Sequence, residues 1–306
     1  METYHVPVML DESIELLDIR PGGTYVDVTF GGGGHSRGIL ERLSDSGRLF
    51  AFDQDRDARR NLPDDPRLVF VESNFRFMRG WLRCHGVERV DGILADLGVS
   101  SHHFDTRERG FSFRFDAPLD MRMNRDDALT AYEIVNTWPR EELRRILFEY
   151  GEERYAPLIA AAIERTRSEH PIKTTLELAS VIRGAMPPQA LREKQHPAKR
   201  SFQAIRIAVN DELGSVSKMM KAAIRRLNPN GRLAVITFHS LEDRIVKSEM
   251  QQAARGCTCP PEFPVCVCGK KPQIRLVTRK PIVSSAAELE ENPRARSAKL
   301  RVAEKI

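Results

Sequence analysis

The sequence has no long apolar run, and this absence limits where the protein can act. No apolar stretch among the 306 residues approaches the roughly 18–20 residues that a helix needs to cross a bilayer. The first residues, Met1 to His5, lack the basic and apolar regions of a signal peptide. We therefore expect a cytoplasmic protein with no membrane partner.

Cysteine is also scarce, with five residues in the chain, and four of them lie close together. The four are Cys257, Cys259, Cys266 and Cys268, and only Cys84 stands apart. Four thiolates in so short a segment predict a closed tetrahedral site of the kind that structural zinc occupies. Thiols without a ligand and a redox-labile disulfide are the alternatives, although the cytosol disfavours a permanent disulfide.

The charge distribution indicates a polyanion-binding protein or one with a solvated basic tail. Lys and Arg number 48 against 43 Asp and Glu, a net charge of +5. Residues 270–306 hold ten Lys or Arg against four Glu, and residues 183–206 hold six against one. Concentrated positive charge is typical of a protein that binds nucleic acid, and it is equally compatible with a solvated basic tail.

Strand-like and helix-like segments alternate over the first hundred residues, which predicts a parallel sheet with helices on both faces. The predicted strands are 25–29, 48–52, 68–71, 92–95 and 231–237, with a further antiparallel edge pair at 274–278 and 300–303. From about residue 106 to 200 the pattern is helical, and Thr174 and Glu177 form a capping box there. The chain is thus predicted to be one α/β domain, 1–105 and 201–306, interrupted after its fourth strand by a helical insertion, 106–200.

A run of four glycines after the first strand predicts a site for a nucleotide-like ligand. Gly31 to Gly34 join that strand to a helix, and glycines there let the backbone approach a ligand closely. Asp53 ends the second strand, where an acid receives two ribose hydroxyls. No register fits G-x-G-x-x-G, although a looser G-x-G-x-x-x-G leaves a nicotinamide-dependent oxidoreductase as an alternative. The pattern favours S-adenosylmethionine, which has ribose hydroxyls and no pyrophosphate. A non-catalytic zinc and RNA-binding module built around the cysteines is the third hypothesis.

Several segments resemble the MraW family of ribosomal RNA small-subunit methyltransferases over nearly the whole chain. The matching segments are Asp27–Ser36, Asp91–Ser101, Glu108–Phe113, Pro118–Met123, Phe238–Arg244 and Asn292–Ser297. The resemblance implies a Rossmann-like class I methyltransferase sheet. It also implies methylation by S-adenosylmethionine of the N4 amine of a P-site cytidine in 16S rRNA, within the small ribosomal subunit or its late precursor.

The resemblance also implies which residues contact the cofactor. Carried over by position, the contacts fall on Gly33, Gly34, His35, Asp53, Phe75, Asp96 and His103. His103 stands where better-known members of the family carry glutamine. Phe75 follows the third strand, where an aromatic face could pack on adenine.

Asp96 is the candidate catalytic residue, with cofactor binding alone as its competing role. It ends the fourth strand, and an acceptor there would take up the positive charge that develops on the cytosine amine. Ser240 and Asp243 follow the fifth strand and are predicted to cap a helix, while the neighbouring His239 is a candidate for the substrate pocket. The insertion is the predicted site of RNA recognition. The oligomeric state stays open, with a homodimer as one alternative.

Overall fold

The computed structural model describes residues 7–257, 259–260, 262–265 and 267–306, and it divides into two compact units. Unit 1 comprises residues up to Gly98 together with Leu213–Ile306, and unit 2 comprises Val99–Glu212. Among the described residues, no helix has both the length and the apolar character to cross a membrane.

Unit 1 is built on one seven-stranded sheet. Its strands are β1 (Thr24–Asp27), β2 (Arg48–Asp53), β3 (Leu68–Glu72), β4 (Val90–Asp96), β5 (Leu227–Thr237), β6 (Ile274–Leu276) and β7 (Lys299–Lys305). They lie in the order β3-β2-β1-β4-β5-β7-β6. The first five are parallel, and β7 runs antiparallel between β5 and β6. The predicted Rossmann-like sheet and its antiparallel edge pair are confirmed.

The helices are divided between the two units. In chain order they are α1 (Leu10–Leu17), α2 (Gly34–Leu40), α3 (Met78–Cys84), α4 (Ser101–Asp105), α5 (Ala131–Thr137), α6 (Arg140–Glu149), α7 (Ala156–Glu169), α8 (Thr175–Ala185), α9 (Lys199–Asn210), α10 (Glu212–Arg226), α11 (Ser240–Ala254) and α12 (Ala286–Glu291). Helices α4 to α9 belong to unit 2, and α10 starts at the boundary.

Both faces of the sheet are covered, because successive strand residues point to opposite faces. Val26 and Ile93 pack in one cluster with side chains of α3, α10 and α11, whereas Tyr25 and Leu94 pack in another with side chains of α1 and α2. All four side chains are fully buried. This double coverage explains why the central strands are apolar runs rather than alternating ones.

Unit 2 has its own hydrophobic core, lined by α5 to α9. Two capping boxes start helices in it, one from Thr130 to Glu133 and the predicted one from Thr174 to Glu177. In each box the threonine accepts the N3 amide hydrogen and the glutamate accepts the N-cap amide hydrogen, which satisfies two donors that a helix start otherwise leaves open.

A buried arginine organises the segment between α4 and α5. Arg109 is 1% exposed, and its guanidinium donates to the carbonyl oxygens of Arg122 and Met123 at 2.9 Å. Asn210 on α9 donates to the Met121 carbonyl and accepts the Met123 amide hydrogen, both at 2.8 Å. These bonds tie α9 to the segment, so α9 belongs to unit 2.

The boundaries of the helical unit therefore differ from the predicted 106–200. The unit runs from Val99 to Glu212 because α9 packs Phe202 and Ile205 into its core, although these residues follow the predicted end. At the other boundary, Gly98 is the last residue of the first stretch of the sheet unit, which resumes at Leu213. Hydrophobic periodicity located the insertion but could not assign its last helix to a core.

Candidate functional site

Three aspartates end three neighbouring strands of the sheet. Asp27 ends β1, Asp53 ends β2 and Asp96 ends β4, and β1 lies between the other two strands. Parallel strands finish at the same edge of a sheet, so the three carboxylates meet there. The strand order reverses direction between β1 and β4, and such a switch point is where open α/β sheets bind ligands.

The glycine loop leaves β1 in a conformation that L side chains rarely adopt. Gly31 and Gly33 have φ angles of +51° and +75°, in the left-handed region. A Cβ on Gly33 would lie 2.8 Å from the Phe30 ring, and one on Gly34 would lie 2.7 Å from Pro7 Cγ. The loop thus requires glycine both for its backbone angles and because a side chain would collide with its neighbours. Helix α2 begins directly after it, at Gly34.

Asp27 is fully buried and holds the loop in place. Its Oδ1 accepts the Thr29 amide hydrogen at 3.0 Å, and its Oδ2 accepts the Ser36 hydroxyl at 2.7 Å. Burial raises the pKa of Asp27, while His35, Ser36 and Thr29 oppose the shift. The predicted first strand continued to Thr29, but it ends at Asp27 because the loop turns to make these bonds.

Asp53 joins the loop to β2, and its carboxylate can accept hydrogen bonds beyond the two that it forms within the chain. Its Oδ2 accepts the Gly31 amide hydrogen and its Oδ1 accepts that of Asp55, both at 2.8 Å. A carboxylate offers about four lone-pair positions, so it can also accept from two hydroxyls. Burial raises the pKa of Asp53 to about 6, although the amides of Asp55 and Gly31 lower it.

Asp96 combines a fixed backbone with an unpartnered oxygen. Its amide donates to Thr29 Oγ1 at 2.7 Å, whereas its buried Oδ1 has no hydrogen-bond partner in the described part of the chain. Burial raises the pKa of Asp96 to about 6, with His35 opposing the shift. A buried acceptor without a donor is costly, which points to a ligand that supplies one.

His35 links Asp96 to the segment before α1. Its Nε2 lies 3.0 Å from the Val8 carbonyl oxygen, and a carbonyl can only accept, so Nε2 carries a hydrogen. Its Nδ1 lies 3.7 Å from Asp96 Oδ2.

Phe75 lies at the same edge of the sheet, just after β3. It begins a short 3-10 helix, Phe75–Phe77, and its ring is partly buried against the cluster that contains Val26. The preceding Asn74 donates to Gln54 Oε1 at 2.7 Å, which joins the loops after β3 and β2. The ring is thus held at the edge while part of it stays accessible.

His103 is the one predicted contact residue that belongs to unit 2. It lies on α4 and is buried, with its Nδ1 3.0 Å from Ser100 Oγ and its ring 4.9 Å from that of Phe111. The six other predicted cofactor residues belong to unit 1. The cofactor role of His103 stays a prediction.

His239, rather than Ser240, caps α11. Its side chain accepts the Glu242 amide hydrogen, and its Nε2 lies 3.0 Å from Glu242 Oε1. The prediction that Ser240 is the N-cap is therefore wrong by one residue. Asp243, predicted to complete that cap, instead forms a bidentate pair with Arg301 on β7, with distances of 2.7 and 3.1 Å.

Two further residues, Thr29 and Ser36, belong to the site, although the sequence predicted no role for them. Both act through hydrogen bonds to carboxyl or amide groups that come from other positions in the chain. A hydroxyl residue on each side of a glycine run is the only signal that could have marked them.

Three of the four clustered cysteines come together. The Sγ atoms of Cys257, Cys259 and Cys268 lie within 4.8 Å of one another, in the segment between α11 and β6. Cys266, the fourth residue of the predicted zinc site, lies outside the described residues. Cys84, by contrast, lies at the end of α3 and is exposed.

Comparison with known proteins agrees with this arrangement. The model of the MraW methylase family matches residues 2–306. A protein of Symbiobacterium thermophilum, named ribosomal RNA small subunit methyltransferase H, is 53% identical over 100% of this chain and 98% of its own. Proteins of the same name from Heliobacterium mobile and a Paenibacillus species are also 53% identical, over 100% and 99% of both chains respectively.

Proposed function

Because this chain belongs to the MraW methylase family, we propose that it methylates the N4 amine of the P-site cytidine in 16S rRNA. Membership makes it an S-adenosylmethionine-dependent methyltransferase, so the oxidoreductase and the non-catalytic module are set aside. The substrate would be the small ribosomal subunit or its late precursor, so the enzyme would act in the cytoplasm.

The meeting of Asp53 and Asp96 at the switch point of the sheet carries the proposal. Asp53 has acceptor positions beyond its two amide bonds, which suits the two ribose hydroxyls of S-adenosylmethionine. Gly33 and Gly34 bring backbone rather than side chains to the same edge, and Phe75 offers a ring face for adenine. These donor and acceptor groups suit the polar groups of the cofactor, and Asp27 holds the loop that carries the two glycines.

Asp96 supplies the acceptor that the reaction requires. S-adenosylmethionine contributes an electrophilic methyl group, whereas the cytosine amine is a poor nucleophile because its lone pair is delocalised into the ring. A hydrogen bond from that amine to Asp96 Oδ1 would localise the lone pair and stabilise the positive charge that develops on nitrogen. The Asp96 carboxylate can then hold the proton that the amine loses.

Unit 2 is the proposed RNA-binding part. Of the six basic residues between 183 and 206, Arg206 is paired with Glu212 at 2.8 Å, whereas Lys194 and Lys199 are exposed. Arg200 lines a shallow groove in this unit together with Tyr155 and His196. Exposed cations of this kind can contact the phosphates of an RNA and position it on the unit.

The direct test is methylation in vitro of small subunits taken from a strain that lacks the enzyme. With labelled S-adenosylmethionine, the purified protein should label 16S rRNA, and nucleoside analysis should give N4-methylcytidine from one decoding-centre fragment. Label in another nucleoside, or in the large-subunit RNA, would contradict the proposal. The Asp53→Ala variant is the control for contaminating methyltransferases.

A further inference from the structure

We propose that the segment between α11 and β6 is a zinc knuckle that binds one Zn²⁺ through the thiolates of Cys257, Cys259 and Cys268. Their Sγ atoms lie within 4.8 Å of one another, close enough to share one ion. Neither the proposed methyl transfer nor the cofactor site uses these residues. The site is structural, and it is independent of whether the chain methylates RNA.

The distance between two of the sulfurs has the value that a zinc site requires. Two thiolates at about 2.3 Å from zinc, at the tetrahedral angle, are about 3.8 Å apart. Cys257 Sγ and Cys268 Sγ are 3.7 Å apart. A disulfide would bring them to about 2.05 Å, so these two sulfurs are not bonded to each other.

The backbone supports Cys257 as a ligand. The Cys259 amide donates to Cys257 Sγ at 3.4 Å, within the range for a hydrogen bond to sulfur. Hydrogen bonds of this kind from outside the coordination sphere orient a ligand and stabilise its thiolate form. The C-x-C spacing thus places one cysteine's amide on the sulfur of the other.

The described apolar side chains of the segment build no core that would hold it together. Its ends are closed by a 2.8 Å bond from the Gln273 amide to the Ala253 carbonyl oxygen. Beyond this closure, Phe263, Val265 and Val267 are 51%, 71% and 75% exposed, so the described apolar side chains form no core. A segment of this length without a core is held by metal or disulfide in small domains. The cysteines converge where such a staple would act.

Zinc content of the full-length protein tests the proposal. Protein purified without chelator should hold about one zinc per chain, as expected for a single tetrahedral site. Cys257→Ser and Cys268→Ser should each reduce the bound zinc at least about tenfold, because each removes a thiolate ligand. Cys84→Ser is the matched control, since Cys84 is exposed on α3, and it should keep its zinc. S-adenosylmethionine binding by each variant shows that the sheet unit remains folded.

A second measurement on the unmodified chain avoids dependence on the variants. After zinc removal under reducing conditions, titration with Co²⁺ should produce thiolate-to-cobalt charge-transfer bands and strong tetrahedral visible bands at one equivalent. Added Zn²⁺ should abolish these bands. Absence of the bands, equal zinc in Cys257→Ser and the parent, or a native disulfide in protein isolated under argon would each overturn the proposal. Loss of methyltransferase activity in the proposed assay would leave these outcomes unaffected.

Discussion

Asp96→Asn should stabilise the cofactor-free protein at neutral pH even though it damages the site. In the folded chain, burial raises the pKa of Asp96 from 3.8 to about 6. A folded-state pKa above the unfolded value gives stability that is complete below the unfolded pKa and lost as the pH rises through the folded pKa. The ionised carboxylate thus weakens the fold above about pH 6, and asparagine carries no such charge.

The size of the effect follows from the shift. About two pKa units at about 1.4 kcal/mol per unit amount to about 3 kcal/mol above pH 7, and little of it remains at about pH 4. The side chain is 24% exposed, so solvent screening leaves most of this value in place. No backbone amide donates to its carboxyl oxygens among the described contacts, so asparagine removes the charge and breaks no bond of that kind.

Urea unfolding from about pH 4 to about pH 8 measures this difference. Trp81 lies on α3 in unit 1, so a Trp138→Phe background makes its fluorescence report the sheet unit alone. The stability advantage of Asp96→Asn over the parent should grow by about 2–3 kcal/mol between the two ends of that range. Asp64→Asn, which alters an exposed carboxylate between β2 and β3, should show no such growth. An advantage that is constant with pH would refute the assignment of Asp96 as a buried carboxylate that titrates near neutrality.

Three further predictions concern ligand binding and turnover. Asp53→Ala should weaken S-adenosylmethionine binding at least about tenfold in calorimetry, since each charge-assisted hydrogen bond contributes about 1.5–3 kcal/mol. Binding by the parent protein should weaken below about pH 6, because Asp53 becomes protonated there. Asp96→Asn should lower kcat about 100-fold or more with little change in cofactor Kd, because its acceptor acts on the amine; the reverse pattern would make Asp96 a binding residue. Lys199→Gln with Arg200→Gln should reduce the salt dependence of activity by a log–log slope of about 1–2, because fewer counterions are released from RNA, and an unchanged slope would place the RNA elsewhere. Arg48→Gln, at the amino end of β2, is the control in all three assays.

The position of the carboxylates at one edge could be predicted from the sequence. Asp53 and Asp96 each end an apolar run, and in a parallel sheet the ends of such runs lie side by side. The glycine run predicted a loop whose backbone can approach a ligand closely, and the positive φ angles of Gly31 and Gly33 are ones that glycine adopts readily. Local pattern is sufficient for these features because strand period and backbone sterics determine them.

Features that depend on contacts distant in sequence could not be predicted. Thr29 enters the site because β4 lies beside β1 and presents the Asp96 amide to it. Helix α9 joins unit 2 because Asn210 bonds the segment around Met121, which is 89 residues away. His239 replaces Ser240 as the cap because the helix begins where its amide groups find an acceptor, and residue type alone allowed either residue.

The central claim is that this chain methylates the N4 amine of one cytidine in 16S rRNA, and a deletion strain offers the most direct measurement. Mass spectrometry of the decoding-centre fragment from a deletion strain should show one methyl group fewer on that cytidine base. A plasmid copy of the parent gene should restore the methyl group, and the Asp53→Ala copy should not. An unchanged fragment mass in the deletion strain, or restoration by the Asp53→Ala copy, would contradict the account.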